Sequence, residues 1–149
     1  MARDTVVIDL DGTLSDCSYR RYLVEGKHRD YGLFHDRLGE DPVNQWCADL
    51  MRAMTDAWWL VAIVSARPAL CRTATVKWLK QHRVAYNSLH LLRRDHKDKT
   101  PDNELKMAWL QKYGAKRILF VVDDRQKVVD AWRAAGVTCL QCAAWEESK

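Results

Sequence analysis

Four apolar runs rich in Val, Ile and Leu punctuate the chain, at residues 5–10, 60–64, 88–92 and 118–122, and a weaker fifth spans 137–141. They are short and barely alternate, the pattern of strands covered on both faces in a parallel sheet. Between them the apolar spacing changes to three and four. Trp46, Leu50, Ala53, Met54 and Ala57 form one such stripe, and Cys71, Ala74 and Trp78 a second. Leu105, Ala108, Trp109 and Tyr113 form a third, and Val128, Val129, Trp132 and Ala135 a fourth, each reading as the buried face of a helix. Pro68 and Pro101 stand where a first helical residue is expected, and Gly114 and Gly136 where helices stop. Strands alternating with helices predict an α/β fold with a five-stranded parallel sheet flanked by helices. One long irregular stretch, 15–41, separates the first strand from its helix; in a compact domain such a loop is usually functional, here a flap over the site.

At 149 residues the whole chain, 1–149, is expected to form a single domain. With 48% hydrophobic and 30% charged residues it is not a disordered polypeptide. The net charge of +4 is compatible with a polyanionic partner without demanding one. The longest apolar run, 57–64, falls far short of the roughly 18 residues that a membrane span needs. Met1-Ala2-Arg3-Asp4 opens no apolar signal region, and the five cysteines are scattered. The expectation is a cytoplasmic chain with mostly buried thiols and no membrane partner.

Polar residues cluster at the strand ends. The first strand runs into Asp9-Leu10-Asp11-Gly12-Thr13-Leu14, the second into Ser65-Ala66-Arg67, and the fourth into Asp123-Asp124-Arg125. In an open parallel sheet these carboxyl ends share one rim, where ligands bind. Two unit charges about 4 Å apart at an effective dielectric near 20 repel by roughly 4 kcal/mol. Gathering four carboxylates therefore calls for a cation, raised pKa values, or both. The candidate ligands are all oxygens, which suits Mg2+ and not Zn2+.

Asp9-Leu10-Asp11-Gly12-Thr13-Leu14 after a first strand resembles the signature of the haloacid dehalogenase (HAD) superfamily. Ser65, Lys106 and Asp123-Asp124 follow in that family's order. The HAD-like, Rossmann-like fold so implied has only a small insert, 15–41, and no large cap. Within the superfamily the chain resembles the 3′-phosphatase domains of polynucleotide kinase-phosphatases of T-even bacteriophage and their stand-alone relatives. The features are Asp9 followed by Arg20, Ile63-Val64-Ser65-Ala66-Arg67, Asp102 four residues before Lys106, and the run 121–141. The chain has no G-x-x-x-x-G-K-[ST] phosphate loop, so kinase activity is not expected.

The resemblance implies a phosphatase of nucleic-acid repair that removes 3′-phosphates from polynucleotide ends. Asp9 would be the nucleophile that forms an aspartyl-phosphate. Asp11 would be the general acid and base, with a raised pKa. Lys106 would neutralise the phosphate and the nucleophile, aimed by a pair with Asp102 one turn earlier. Ser65, at the mouth of a helix opening with Pro68, would bind phosphate with Ala66 and with backbone N–H groups at Gly12 and Thr13. Arg20 and Arg67 would contact the phosphate or brace the acidic cluster. Asp9, Asp11, Asp123 and Asp124 would hold Mg2+.

Other features stay outside this constellation. Cys139-Leu140-Gln141-Cys142 lies on the last strand with no second ligand pair, so it reads as structural. Trp46, Trp109 and Trp132 read as core. Of the adjacent Trp58 and Trp59, one should face outward, to stack on a nucleobase or to meet a second copy in a homodimer. Loop 93–99 is basic and borders the rim. The partner is thus a nucleic acid with a phosphorylated end, or a nucleotide if the chain is a small-molecule phosphatase such as a nucleotidase. A non-catalytic module on the same fold is a third reading, disfavoured by the intact motif residues.

Overall fold

The computed structural model describes residues 2–145. Five strands, β1 (Thr5–Ile8), β2 (Leu60–Pro68), β3 (Ser88–Arg93), β4 (Ile118–Arg125) and β5 (Cys139–Trp145), form one sheet in the order β3-β2-β1-β4-β5. Each neighbouring pair is parallel. β1 is buried at every position and lies between β2 and β4, with Ile8 beside Ile63 and Val122. The α/β architecture expected from the apolar runs is thus observed.

The helices are α1 (Tyr31–Asp36), α2 (Gln45–Asp56), α3 (Arg72–Gln81), α4 (Asp102–Tyr113) and α5 (Gln126–Ala134). One core of β1 and β2 side chains packs with Cys47 and Met51 of α2 and with Trp78 and Leu79 of α3. The second sets Val7, Val64 and Val121 against Leu110, Val129 and Trp132. Burial of a large apolar side chain stabilises by about 1.5–3 kcal/mol, so these two layers hold the sheet rigid beneath its rim.

Several local expectations need correction. Stretch 15–41 is not irregular: it contains a 3₁₀ turn at Ser18–Val24, α1, and another 3₁₀ turn at Leu38–Glu40. The α2 stripe is rotated, with Cys47, Ala48 and Met51 buried while Trp46 stands 47% exposed. In α3 the inward positions are Thr75, Trp78 and Leu79, and Ala74 is exposed. In α4 they are Lys106 and Leu110. Pro68 still belongs to β2 and Pro101 precedes α4, so neither is a first helical residue. As expected, Gly114 and Gly136 take positive φ just past α4 and α5. Of the tryptophan pair, Trp58 faces outward at 94% exposure and Trp59 packs on the core. No helix among the described residues is long and apolar enough to cross a membrane.

Candidate active site

A cavity of about 590 Å³ opens over the carboxyl ends of β1, β2 and β4. Asp9, Asp11, Ser65, Ala66, Arg67 and Lys106 line its floor. Insert residues Lys27, Arg29, Tyr31 and His35 also line it, as do His96, Lys99, Arg125 and Lys127, with the His35 and His96 rings stacked 5.3 Å apart.

Asp9 follows β1, and its backbone N–H donates to Val122 O. Lys106, 2% exposed, reaches the sheet from α4 and donates to Asp9 Oδ1 and to Asp123 Oδ2, each at 2.8 Å. Carboxylate oxygens of Asp9, Asp123 and Asp124 lie within 4.8 Å of one another. Three acids face one ammonium. Burial first, then the Asp123 charge, pushes Asp9 well above the ordinary carboxylate range despite Lys106. The same causes push Asp124 up to about 6. Burial disfavours the Lys106 charge, yet Asp123 and Asp9 more than offset it and hold the lysine protonated.

This trio fits a hard divalent cation. The donors are all oxygens, the ionised trio exceeds the one ammonium by two negative charges, and Asp124 Oδ2 is buried without a hydrogen-bond partner. Gly12, at φ +83°, keeps that oxygen in place: a Cβ here would lie 2.1 Å from it. Thr13 Oγ1 stands 3.3 Å from both Asp9 Oδ2 and Asp124 Oδ1, sharing its one proton. The indole N–H of buried Trp132 donates to Asp123 Oδ2 at 3.3 Å.

Asp11 departs from expectation. Its carboxylate lies outside the acidic trio, because Arg67 holds both oxygens (Nε–Oδ2 3.0 Å, Nη2–Oδ1 2.8 Å) and Arg20 Nη2 reaches Oδ1 at 2.5 Å. Burial alone would raise its pKa, but the two guanidiniums win and hold it far below the usual range. Arg20 and Arg67 are both buried and serve as braces. Asp102 does not aim Lys106: it pairs with Arg93 (2.6 Å) and with Arg125. Ser65 Oγ accepts the Arg67 N–H at 3.0 Å, and the helix expected at Pro68 starts at Arg72 after a 3₁₀ turn. The N–H groups of Gly12 and Thr13 are already committed, to Ser15 O and Leu10 O.

Asp41, Arg93 and Trp132 were not singled out for the site by their sequence context. Arg93 spans Ala66 O, Asp98 O, Thr100 O and Asp102 Oδ1, tying the β2 end to the loop before α4. Its place in a basic run concealed that role, and only its position at the end of β3 hinted at it.

A buried lysine on α4 bridges two aspartates beside a third at the ends of the central strands. The family described as the polynucleotide kinase PNKP phosphatase domain matches residues 3–146. The chain belongs to this family. As a PNKP-type phosphatase domain it is a phosphoric monoester hydrolase of the HAD superfamily. Among solved structures, the domain is similar to a protein of the Pnkp1/Rnl/Hen1 complex, at 26% identity and a TM-score of 0.80 over 97% of this chain. It is equally similar in sequence, with a TM-score of 0.78, to one from the Pnkp1/Rnl/Hen1 RNA repair complex. The chain spans about half the length of those proteins, 47% and 44%. A putative phosphatase from Clostridium difficile shares the fold, with a TM-score of 0.63 at 14% identity over 99% of this chain and 90% of that one. No curated protein matches the sequence.

Proposed function

We propose that this domain is a Mg2+-dependent phosphatase that removes 3′-phosphates from polynucleotide ends through an aspartyl-phosphate on Asp9. The observation that supports the chemistry most is the placement of Asp9 at the cavity floor, its Oδ1 held by Lys106 and its neighbours Asp123 and Asp124 gathered around it. Asp9, Asp123 and Asp124 would hold the ion, which when bound neutralises phosphate charge.

In the first half-reaction an Asp9 oxygen bonds to phosphorus as the bond from phosphorus to the sugar oxygen breaks, and Asp11 gives that oxygen a proton. In the second, water attacks phosphorus, Asp11 takes a proton from it, and Asp9 is released with inorganic phosphate. Asp11 rests as an ion-paired carboxylate, so it must gain a proton before it can donate. Lys106 fixes the attacking carboxylate, and Ser65 and Ala66 offer the phosphate its polar wall. Asp102 acts by bracing the rim rather than by touching substrate.

The polymer reading draws on the family and on the cavity. Residues 1–149 act as one domain in which insert 15–41 flanks the site, and Lys27, Arg29, Lys99 and Lys127 place exposed cations around its mouth, suited to a phosphate backbone. Phosphate release with Mg2+ should be compared for a 3′-phosphorylated oligonucleotide, its 5′-phosphorylated counterpart and a mononucleotide, with Asp9→Asn as control. Preferred turnover of the 3′-phosphorylated oligomer is expected. Equal or better turnover of the mononucleotide would replace this reading with a nucleotidase, and activity in Asp9→Asn would remove the covalent route.

A further inference from the structure

Asp41 closes the insert, is 2% exposed and does not line the cavity. Its carboxylate is nevertheless tied to both braces of Asp11. Arg20 donates from Nε to Oδ1 at 2.8 Å and from Nη2 to Oδ2 at 2.7 Å. Arg67 Nη2 stands 3.7 Å from Oδ2. The Tyr19 hydroxyl shares its one proton between Asp41 Oδ1 (2.9 Å) and Arg37 O (2.7 Å), and the Trp78 indole fixes the Asp41 backbone carbonyl at 2.8 Å. Two buried guanidiniums thus face two carboxylates, and Arg20 Nη2 is shared between them.

A guanidinium is planar, so anchoring one edge sets where its remaining N–H groups point. Apart from Asp41, the acceptors of Arg20 are Phe34 O and Asp11. Without Asp41 the Arg20 plane loses its fixed edge, and two cations converge on one carboxylate. We infer that Asp41 is a positioning residue: through Arg20 and Arg67 it holds Asp11 where that carboxyl can hand a proton to the departing sugar oxygen. The inference rests on the proposed role of Asp11 as proton donor. It also ties the last residue of the insert to the chemistry, so displacement of the insert disturbs the donor.

The test uses leaving groups. p-Nitrophenolate departs without a proton, whereas an alkoxide needs one, so failure of a proton donor is felt selectively on alkyl esters. Wild type, Asp41→Asn, Asp41→Glu, Asp11→Asn and the Asp41→Asn/Asp11→Asn double variant are assayed on p-nitrophenyl phosphate and on the best alkyl substrate of the three-way comparison. Asp41→Asn should lose about tenfold or more in kcat/KM, which reads the first half-reaction and not the shared hydrolysis of the aspartyl-phosphate, on the alkyl ester beyond its loss on p-nitrophenyl phosphate. Asp41→Glu should recover part of this, and in the Asp11→Asn background Asp41→Asn should add no further selective loss.

Equal losses on both esters, or none, with Asp11→Asn still selective, overturn the inference alone. An unselective Asp11→Asn overturns the proton-donor reading and the inference with it. If Asp41→Asn does not fold, Tyr19→Phe removes one bond to Asp41; a selective loss of about two- to tenfold supports the inference, and an unselective result overturns it.

Discussion

Replacing Lys106 with methionine keeps an unbranched side chain out to Cε and removes the ammonium. In the fold that charge makes two 2.8 Å bonds, to Asp9 and to Asp123, from a residue only 2% exposed. Deleting one partner of such a buried set strands the others, a loss of about 3–5 kcal/mol. Asp9 already tends to take up a proton in the fold, and further uptake relieves part of the strain, so the lower end, about 3 kcal/mol, is expected near neutral pH. At about 2–4 °C per kcal/mol for a chain this size, Tm should fall by roughly 6–12 °C. Removing the ammonium raises the pKa of Asp9 further, and a raised carboxyl adds stability as pH drops, so the deficit should shrink near pH 5. Thermal melts of wild type and Lys106→Met, with a chelator present, near pH 7.5 and pH 5, check both points. A Tm within 2 °C of wild type at the higher pH, or a deficit of the same size at both, would refute the claim that this ammonium holds the acidic trio together.

Three further outcomes are expected. Gly12→Ala combines a strained positive φ with a Cβ placed 2.1 Å from Asp124 Oδ2; stability should fall by about 1–3 kcal/mol, and divalent-cation affinity, read by titration calorimetry, should weaken. Mg2+ at a hundred times its Kd should stabilise wild type by about 2.7 kcal/mol, and most of that gain should vanish in Asp124→Asn; an undiminished thermal shift would place the ion elsewhere. Burial lowers His35 from 6.5 to about 4, so the unfolded chain binds its proton first and stability is lost as pH falls from 6.5 towards 4, by up to about 3 kcal/mol. Urea midpoints of His35→Gln should therefore decline less than those of wild type between pH 7 and pH 5.

The strands were legible because a buried parallel strand needs an unbroken apolar run, and residues 5–8 could hardly serve otherwise. Asp9, Ser65 and Asp123 were legible because strand ends of a parallel sheet share one rim, whereas Lys106, on a helix, was legible only through its resemblance to the order of the HAD motifs. Lys106 shows where the pattern misleads: a stripe reading seeks apolar residues on the inner face, while α4 turns a lysine inward and leaves Ala108 exposed. Asp11 misled for a related reason. Crowding with Asp9 predicts a raised pKa, but the two guanidiniums that lower it are brought there by the fold, Arg20 by the turn that opens the insert and Arg67 from the end of β2. Asp41 resembles an ordinary loop acid until the insert folds back and buries it. Asp102 and Lys106, four apart on one helix, look paired, yet better partners for each arrive from β1, β3 and β4.

The sheet order also sets the sequence in which parts of the molecule should open. β1 is covered on both faces and hydrogen-bonded along both edges, so its amides should exchange with solvent only through global unfolding. The insert, which carries exposed Tyr22, Lys27 and Arg29, is suited to local opening at far lower free energy. The Arg20–Asp41 ion pair lies on the boundary between these two regimes. Deuterium uptake across 15–41 should therefore accelerate when that pair is broken, while Val6, Val7 and Ile8 keep the slow exchange of the intact domain.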